Sequence, residues 1–224
     1  MTPIDGLGCN PGWEIRDCRE CGAKTKFPAK IVENLGLGDV GAICDECELE
    51  QRRQADEEAM QANIEQLIER AGIPPAPEAS LHTAFDHFLS CDSKPGLYVH
   101  GVPGVGKTTQ ACQAVREWAE MGRKALYITE RQYFQASWDN DSEMISRMKK
   151  IPLLIVDDLG TDHQSDWSAG EFFALVDARY AYQNKRKTIW VSNHDPQELT
   201  EFKHFGDRAL RRIAETCGEP LHMT

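Results

Sequence analysis

Residues 101–108 read GVPGVGKT, and no other stretch of the 224-residue chain restricts its fold so narrowly. The pattern G-x-x-x-x-G-K-[ST] stands directly after the apolar run LYV and before a stretch without Gly or Pro, which puts it on the turn between a buried strand and a helix. On such a turn, glycines let main-chain N–H groups face inward around the β- and γ-phosphates of a nucleotide, and the helix presents its positive end to them. Gly101, Gly104, Val105, Gly106 and Thr109 are the candidate cradle. Lys107 brings a full positive charge, and the Thr108 hydroxyl is a candidate magnesium ligand. The plain alternative is a Gly-rich turn with a solvated lysine.

Downstream, LLIVDD over residues 153–158 ends an apolar strand in two carboxylates. Acids at the edge of a buried strand are costly unless they meet a cation or solvent. Behind a phosphate loop, Asp157 is expected to hold magnesium and Asp158 to polarise the attacking water. The alternative is a pair of strand-end acids capping the turn LGTD.

The surrounding pattern predicts strands over residues 97–100, 125–129, 153–157 and 188–192. Helices are predicted over 108–121, part of 131–149, 169–182 and 196–202. Strand and helix in alternation imply an α/β fold, a parallel sheet covered by helices on both faces. The last strand, IWVSN, ends at Asn193, an amide within reach of a γ-phosphate or the lytic water. A helix cap is the competing role, since HDPQEL reads as a helix start that either Asn193 or Asp195 would cap.

The N-terminal part is different. Residues 1–12 are rich in Gly and Pro and read as a loosely ordered arm. CREC and CDEC then supply Cys18, Cys21, Cys44 and Cys47, two close pairs separated by 22 residues. Four thiolates in that arrangement suit the tetrahedron of structural zinc, whereas Cys9, Cys91, Cys112 and Cys217 have no ligand spacing. Residues 48–71 place Met60, Ile64, Leu67 and Ala71 on one helical stripe, until Gly72 and the run IPPAP stop it. The expected organisation is therefore a zinc module and acidic helix over 1–72, a linker over 73–80 and a nucleotide-binding domain over 81–224.

Of the formal charge of −11, most is N-terminal: residues 1–80 hold 8 Lys and Arg against 16 Asp and Glu. Phosphate contacts need Lys and Arg, so the zinc module and its helix read as a protein-binding head rather than a nucleic-acid reader. Basic clusters suited to single-stranded DNA lie instead at Arg147, Lys149 and Lys150 and at Lys185, Arg186 and Lys187, although most such runs are merely solvated. No stretch approaches the roughly 18 consecutive apolar residues of a membrane span, and the first 30 residues hold no signal-peptide core. A cytoplasmic protein is expected.

The phosphate loop, LLIVDDLG, a helix ending in DARY, TIWVSN and then FGDRALRRI form an ordered set over residues 73–213. This set resembles the AAA+ ATPases of bacterial replicative helicase loaders and the related transposition helper ATPases. The resemblance implies that Asn193 is a sensor residue on a strand lying between the phosphate-loop strand and the Asp157 strand. It also implies that Arg212, with Arg208 in reserve, reaches the ATP site of a neighbouring subunit; a solvated basic helix face is the alternative. Family members usually carry a second sensor arginine after a small strand, which is not found among the twelve residues that follow Arg212.

The expected function is a magnesium-dependent ATPase that assembles as an ATP-dependent homo-oligomer. It would hold a replicative helicase through the zinc head and deliver it to single-stranded DNA. Competing readings are a transposition helper on duplex DNA, an adaptor that binds ATP without turnover, and a P-loop kinase. The kinase would need an Arg-rich lid that residues 160–187 do not show.

Overall fold

Alternate residues of the apolar runs face opposite sides of one sheet, and this is what divides the core in two. The computed structural model describes residues 13–28, 43–91, 94–161, 165–201 and 205–224. The expected N-terminal arm, with Cys9, lies outside them, as does Phe202 at the end of the predicted 196–202 helix. Two units are distinguished, Met1–Gln61 and Ala62–Thr224.

In the first unit, β1 (Trp13–Asp17) and β2 (Lys24–Pro28) form an antiparallel hairpin. Its turn is closed by Gly22 N–H donating to Cys18 O at 2.8 Å. Helix α1 (Asp45–Ala71) opens with Asp45, Glu46 and Glu48, acids that suit the positive end of a helix. Its exposed stretch carries Glu48–Arg52 and Arg53–Glu57 pairs at i,i+4 and a Glu50–Arg53 pair at i,i+3. Met60 on the expected stripe is exposed, whereas Ala71 at its end is fully buried.

The division between the units falls inside α1, at Gln61 and Ala62, and not in the expected linker. Residues 73–80 pack on the second unit for a plain reason: Ile73 and Ala76 are apolar and join its core. Arg116 and Gln110 then satisfy the carbonyls of Ala76 and Ser80 at 2.9 and 3.0 Å.

The second unit is built on β3 (Gly96–His100), β4 (Ala125–Thr129), β5 (Leu153–Leu159), β6 (Lys187–Ser192) and the short β7 (Leu221–His222), all parallel, in the order β4-β5-β6-β3-β7. Leu97, Val99, Leu153, Ile155, Ile189 and Val191 face α2 (Thr83–Ser90) and α3 (Lys107–Glu120). Tyr98, Leu154, Val156 and Trp190 face α4 (Glu130–Trp138), α5 (Ser142–Lys150), α6 (Asp166–Tyr180) and α7 (Gly206–Cys217). This is the expected parallel sheet between two helical layers, and β6 does lie between β3 and β5. A 3-10 turn, Glu198–Glu201, stands where a helix over 196–202 was expected. Among the described residues, no helix is long and apolar enough to cross a membrane.

The basic runs turn inward more than composition suggests. Lys187 is 8% exposed and donates to Phe88 O at 2.8 Å and to Cys91 O, at the end of α2. Arg186 donates to Lys149 O and Ala178 O at 2.8 and 3.2 Å, and Arg147 donates to Arg70 O. Buried Arg179, from DARY, reaches Met148 O, Ile151 O, Lys187 O and the Thr188 hydroxyl. Most of these acceptors are carbonyls that helix ends leave unpaired. Arg147, Arg186 and Lys187 thereby spend donors within the fold, while Arg147, Lys150 and Lys185 remain exposed.

Candidate nucleotide-binding site

The loop between β3 and α3 has its conformation set from both ends. At Gly101, φ is 147°, and a Cβ there would lie 2.2 Å from Met223 O, so the residue after β7 leaves room only for hydrogen. The Met223 N–H also donates to His100 O at 2.8 Å, pinning the start of the loop. Gly106, the N-cap of α3, is left-handed at φ 91° and provides no side-chain cap, so the first N–H groups of α3 face the loop interior.

Lys107 is 7% exposed, and its ammonium donates to Gly101 O at 2.8 Å and Val102 O at 3.0 Å. Burial lowers its pKa, while Asp157 and Asp158 act in the opposite sense. Asp157, 2% exposed, accepts on one oxygen from Thr108 Oγ1 at 2.7 Å and from Tyr127 Oη at 2.6 Å. Its other oxygen accepts the Asp158 N–H at 2.8 Å. Desolvation, then the Asp157 charge, pushes the Tyr127 phenol well above its ordinary pKa, so it remains a donor. A hydroxyl and a carboxylate brought together in this way make an all-oxygen donor set of the kind magnesium takes.

Asp157 and Asp158 sit in a bulge, because β5 has one residue more than β6 between the Val156–Trp190 and Leu159–Ser192 pairs. Asp158 is left-handed at φ 58° and exposed, a conformation that costs a non-glycine residue on the order of 1 kcal/mol or more. Desolvation first, and then the Asp157 charge, raises its carboxyl above the ordinary aspartate range. Glu130, fully buried at the start of α4, accepts the N–H groups of Gly160 and Thr161 at 3.0 and 3.2 Å, and Thr161 Oγ1 donates to Asp158 O at 2.7 Å.

Asn193 is exposed just beyond β6. Asp195 takes the capping role: its carboxylate accepts Gln197 N–H at 2.8 Å, and its own N–H donates to Glu198. The turn carrying Asn193 is fixed by Ser192 Oγ on Leu159 O and by Tyr98 Oη on His194 O, at 2.7 and 2.9 Å. Arg212 lies elsewhere, on α7, paired with Asp177 of α6 and with its guanidinium 5.0 Å from the ring centres of Phe173 and Tyr180. Arg208 is exposed on the same helix.

Tyr127 and Glu130 were not identified from the sequence. Tyr127 is one alternating residue of a buried strand, and Glu130 looks like any acid in the first turn of a helix. Beside Asp158 lies a groove of about 670 Å³ whose walls include Arg131, Phe134, Trp138, Thr161 and Trp167. Trp138 is 71% and Trp167 42% exposed, and their rings meet edge to face at 5.6 Å. Exposed tryptophans at helix ends carry no spacing signal, so this groove too was missed.

In the first unit, the sulfurs of Cys18, Cys21, Cys44 and Cys47 all lie within 4.8 Å of one another. Tetrahedral zinc with Zn–S near 2.3 Å sets sulfurs about 3.8 Å apart, which this cluster can meet. Main-chain N–H groups of Cys21 and then Cys44 pull the Cys18 thiol down to about 6, while the crowding of the neighbouring thiols leaves Cys21 and Cys47 raised. Cys112 and Cys217 are buried thiols outside this cluster.

No family model matches the chain. Over 118 residues it is 28% identical to the replicative helicase loader DnaI of Bacillus subtilis (strain 168), covering 50% of this chain and 38% of that protein. Over 120 residues it is 26% identical to the replicative helicase loader DnaC of Escherichia coli (strain K12), covering 50% and 47%. The matched stretch thus spans less than half of either relative. A crystal structure of DnaI superposes with a TM-score of 0.51 at 26% identity, over 71% of this chain and 79% of that one.

Proposed function

We propose that this chain, a relative of the AAA+ replicative helicase loaders, is an ATP-hydrolysing loader that delivers a ring helicase to single-stranded DNA. The observation that carries the reading is the Thr108–Asp157 hydrogen bond, which joins the phosphate loop to the acid-tipped strand at the sheet's C-terminal edge. Lys107 exchanges the carbonyls of Gly101 and Val102 for the β- and γ-phosphates. The α3 N–H groups cradle those phosphates together with Gly104, Val105, Gly106 and Thr109. Thr108 and Asp157 would hold magnesium, which supplies charge neutralisation at the phosphates. Asp158 accepts the proton side of the attacking water, and Asn193 orients that water or the γ-phosphate. Arg212, released from Asp177, serves the ATP site of a neighbouring copy.

The partners follow from the remaining surfaces. The zinc-held head and the acidic, exposed part of α1 suit a protein partner, here the helicase. The Trp138–Trp167 groove, with Arg131 beside it, offers stacking faces and a cation, the combination that binds unpaired bases. This groove takes over the role first expected of the basic runs.

The test is ATP turnover by the purified chain, alone, with single-stranded or with duplex DNA, beside Lys107→Ala, together with a pull-down of a replicative helicase. Turnover stimulated by single strands and absent in the variant, with helicase recovered, is the expected result. Stimulation by duplex alone, or no helicase recovered with or without ATP, would sink the reading.

A further inference from the structure

We infer that Glu130 is a positioning residue for hydrolysis, clamping the loop that carries Asp158 to the helix that lines the aromatic groove. The inference rests on the reading of Asp158 as the water-polarising acid. A fully buried carboxylate is expensive and persists only where its hydrogen bonds compensate. Here one oxygen of Glu130 accepts two successive N–H groups, from Gly160 and Thr161, two and three residues beyond Asp158.

That loop needs holding. Asp158 is left-handed and stands in a bulge where the β5–β6 ladder skips a residue, so the sheet alone does not fix its direction. The clamp also has a second end. Glu130 is the first residue of α4, which continues through Arg131, Phe134 and Trp138 into one wall of the groove, while Asp158 and Thr161 line the other. A ligand that shifts α4 therefore moves the acceptor on which the Asp158 loop hangs. Occupancy of the groove and the direction of the water-polarising carboxylate are thereby joined through Glu130.

The experiment compares the full chain with Glu130→Leu, which removes the acceptor at similar volume, and Glu130→Gln, which restores one acceptor oxygen. Three quantities are read: affinity for a fluorescent ATP analogue, kcat and KM with and without oligo(dT), and amide hydrogen exchange of Gly160 and Thr161. The Leu variant is expected to bind nucleotide within about twofold of wild type yet lose about ten- to a hundredfold in kcat, together with its response to oligo(dT). Exchange at the two amides should rise at least about tenfold. The Gln variant should recover most of kcat and of the protection.

Wild-type kcat and oligo(dT) response in the Leu variant overturn the proposal. So does a parallel loss of nucleotide affinity and kcat that Gln does not rescue. If wild type binds nucleotide but never turns it over, the ATPase reading fails on its own. The exchange measurement then decides the clamp: unchanged protection in the Leu variant refutes it, and a rise reversed by Gln supports it.

Discussion

Thr108 Oγ1 lies 2.7 Å from Asp157 Oδ2, the same oxygen that Tyr127 Oη reaches at 2.6 Å from β4. Asp157 is thus aimed by two hydroxyls, one from the phosphate loop and one from β4. Only the first is replaceable by a ligand contact without moving a strand.

Tyr127→Phe keeps the ring in the core and deletes the second donor. A hydrogen bond to a buried charge contributes about 1.5–3 kcal/mol, so denaturant unfolding should show a loss of that size in the second unit. Magnesium needed for half-maximal turnover should rise, because Asp157 loses one of its restraints. Turnover with an unchanged magnesium dependence would show that Thr108 alone aims the carboxylate.

On the proposed reading, Asp158 should set the acid side of the pH profile. Its carboxyl is raised by desolvation and by Asp157, so the acid limb of kcat/KM should lie above the ordinary aspartate value of about 3.9. The stability contribution has the opposite sense. A raised folded pKa favours the protonated native state, so that contribution is complete below the unfolded pKa and is lost as pH rises through the folded one. Asp158→Asn should bind a fluorescent ATP analogue normally, turn over about 100- to 10,000-fold more slowly and show a flatter stability profile across that pH window.

The cysteine cluster predicts one zinc per chain, with release by a chelator at low pH or by thiol modification. Structural zinc contributes about 10 kcal/mol or more in modules of this kind, so Cys44→Ser should unfold the first unit. The second unit should keep its own melting transition and its nucleotide affinity. Metal analysis with scanning calorimetry reads both. A zinc-free chain with an intact first-unit transition would remove the metal from the account.

What was legible in the sequence was what is local. The phosphate loop, the Asp157–Asp158 strand end and the two cysteine pairs are each set by spacing within a few residues, and the four predicted strands are observed to within two residues at either end. The helix α2 is only eight residues and β7 only two, too short for a period to show. Lys187 and Arg186 read as surface charge because composition cannot tell a solvated cation from one folded back onto helix carbonyls. Tyr127 and Glu130 act across strands, on β5 and the loop after it, and pairing of that range leaves no mark in a single sequence.

The exposed tryptophans make the groove testable by light and by mutation. Stacking of a base on an aromatic ring is worth about 1–3 kcal/mol, so Trp138→Ala and Trp167→Ala should each weaken oligo(dT) binding by about five- to a hundredfold. Nucleotide affinity should not change. Oligo(dT) should also quench the intrinsic fluorescence of wild type more than that of either variant. Equal binding by both variants would return the DNA contact to Lys149, Lys150 and Lys185.

Arg212 offers the sharpest test of assembly, because it pairs with Asp177 within its own chain and lies on a different helix from every residue of the phosphate site. If it serves a neighbour, two dead variants should repair each other. Lys107→Ala lacks a working ATP site but presents Arg212; Arg212→Ala keeps its ATP site but lacks the finger. Each alone should lose turnover by about a thousandfold or more. Mixed at a concentration that supports assembly, they form some interfaces with an intact Lys107 on one side and an intact Arg212 on the other, and turnover should return to a sizeable fraction of wild type. Asp177→Asn, which loosens the internal pair, should raise turnover at low protein concentration, since less attraction then opposes release of the guanidinium. Recovery on mixing requires action between subunits. No recovery, with Arg212→Ala instead melting earlier, would assign Arg212 to the α6–α7 contact and direct the search for the finger to exposed Arg208.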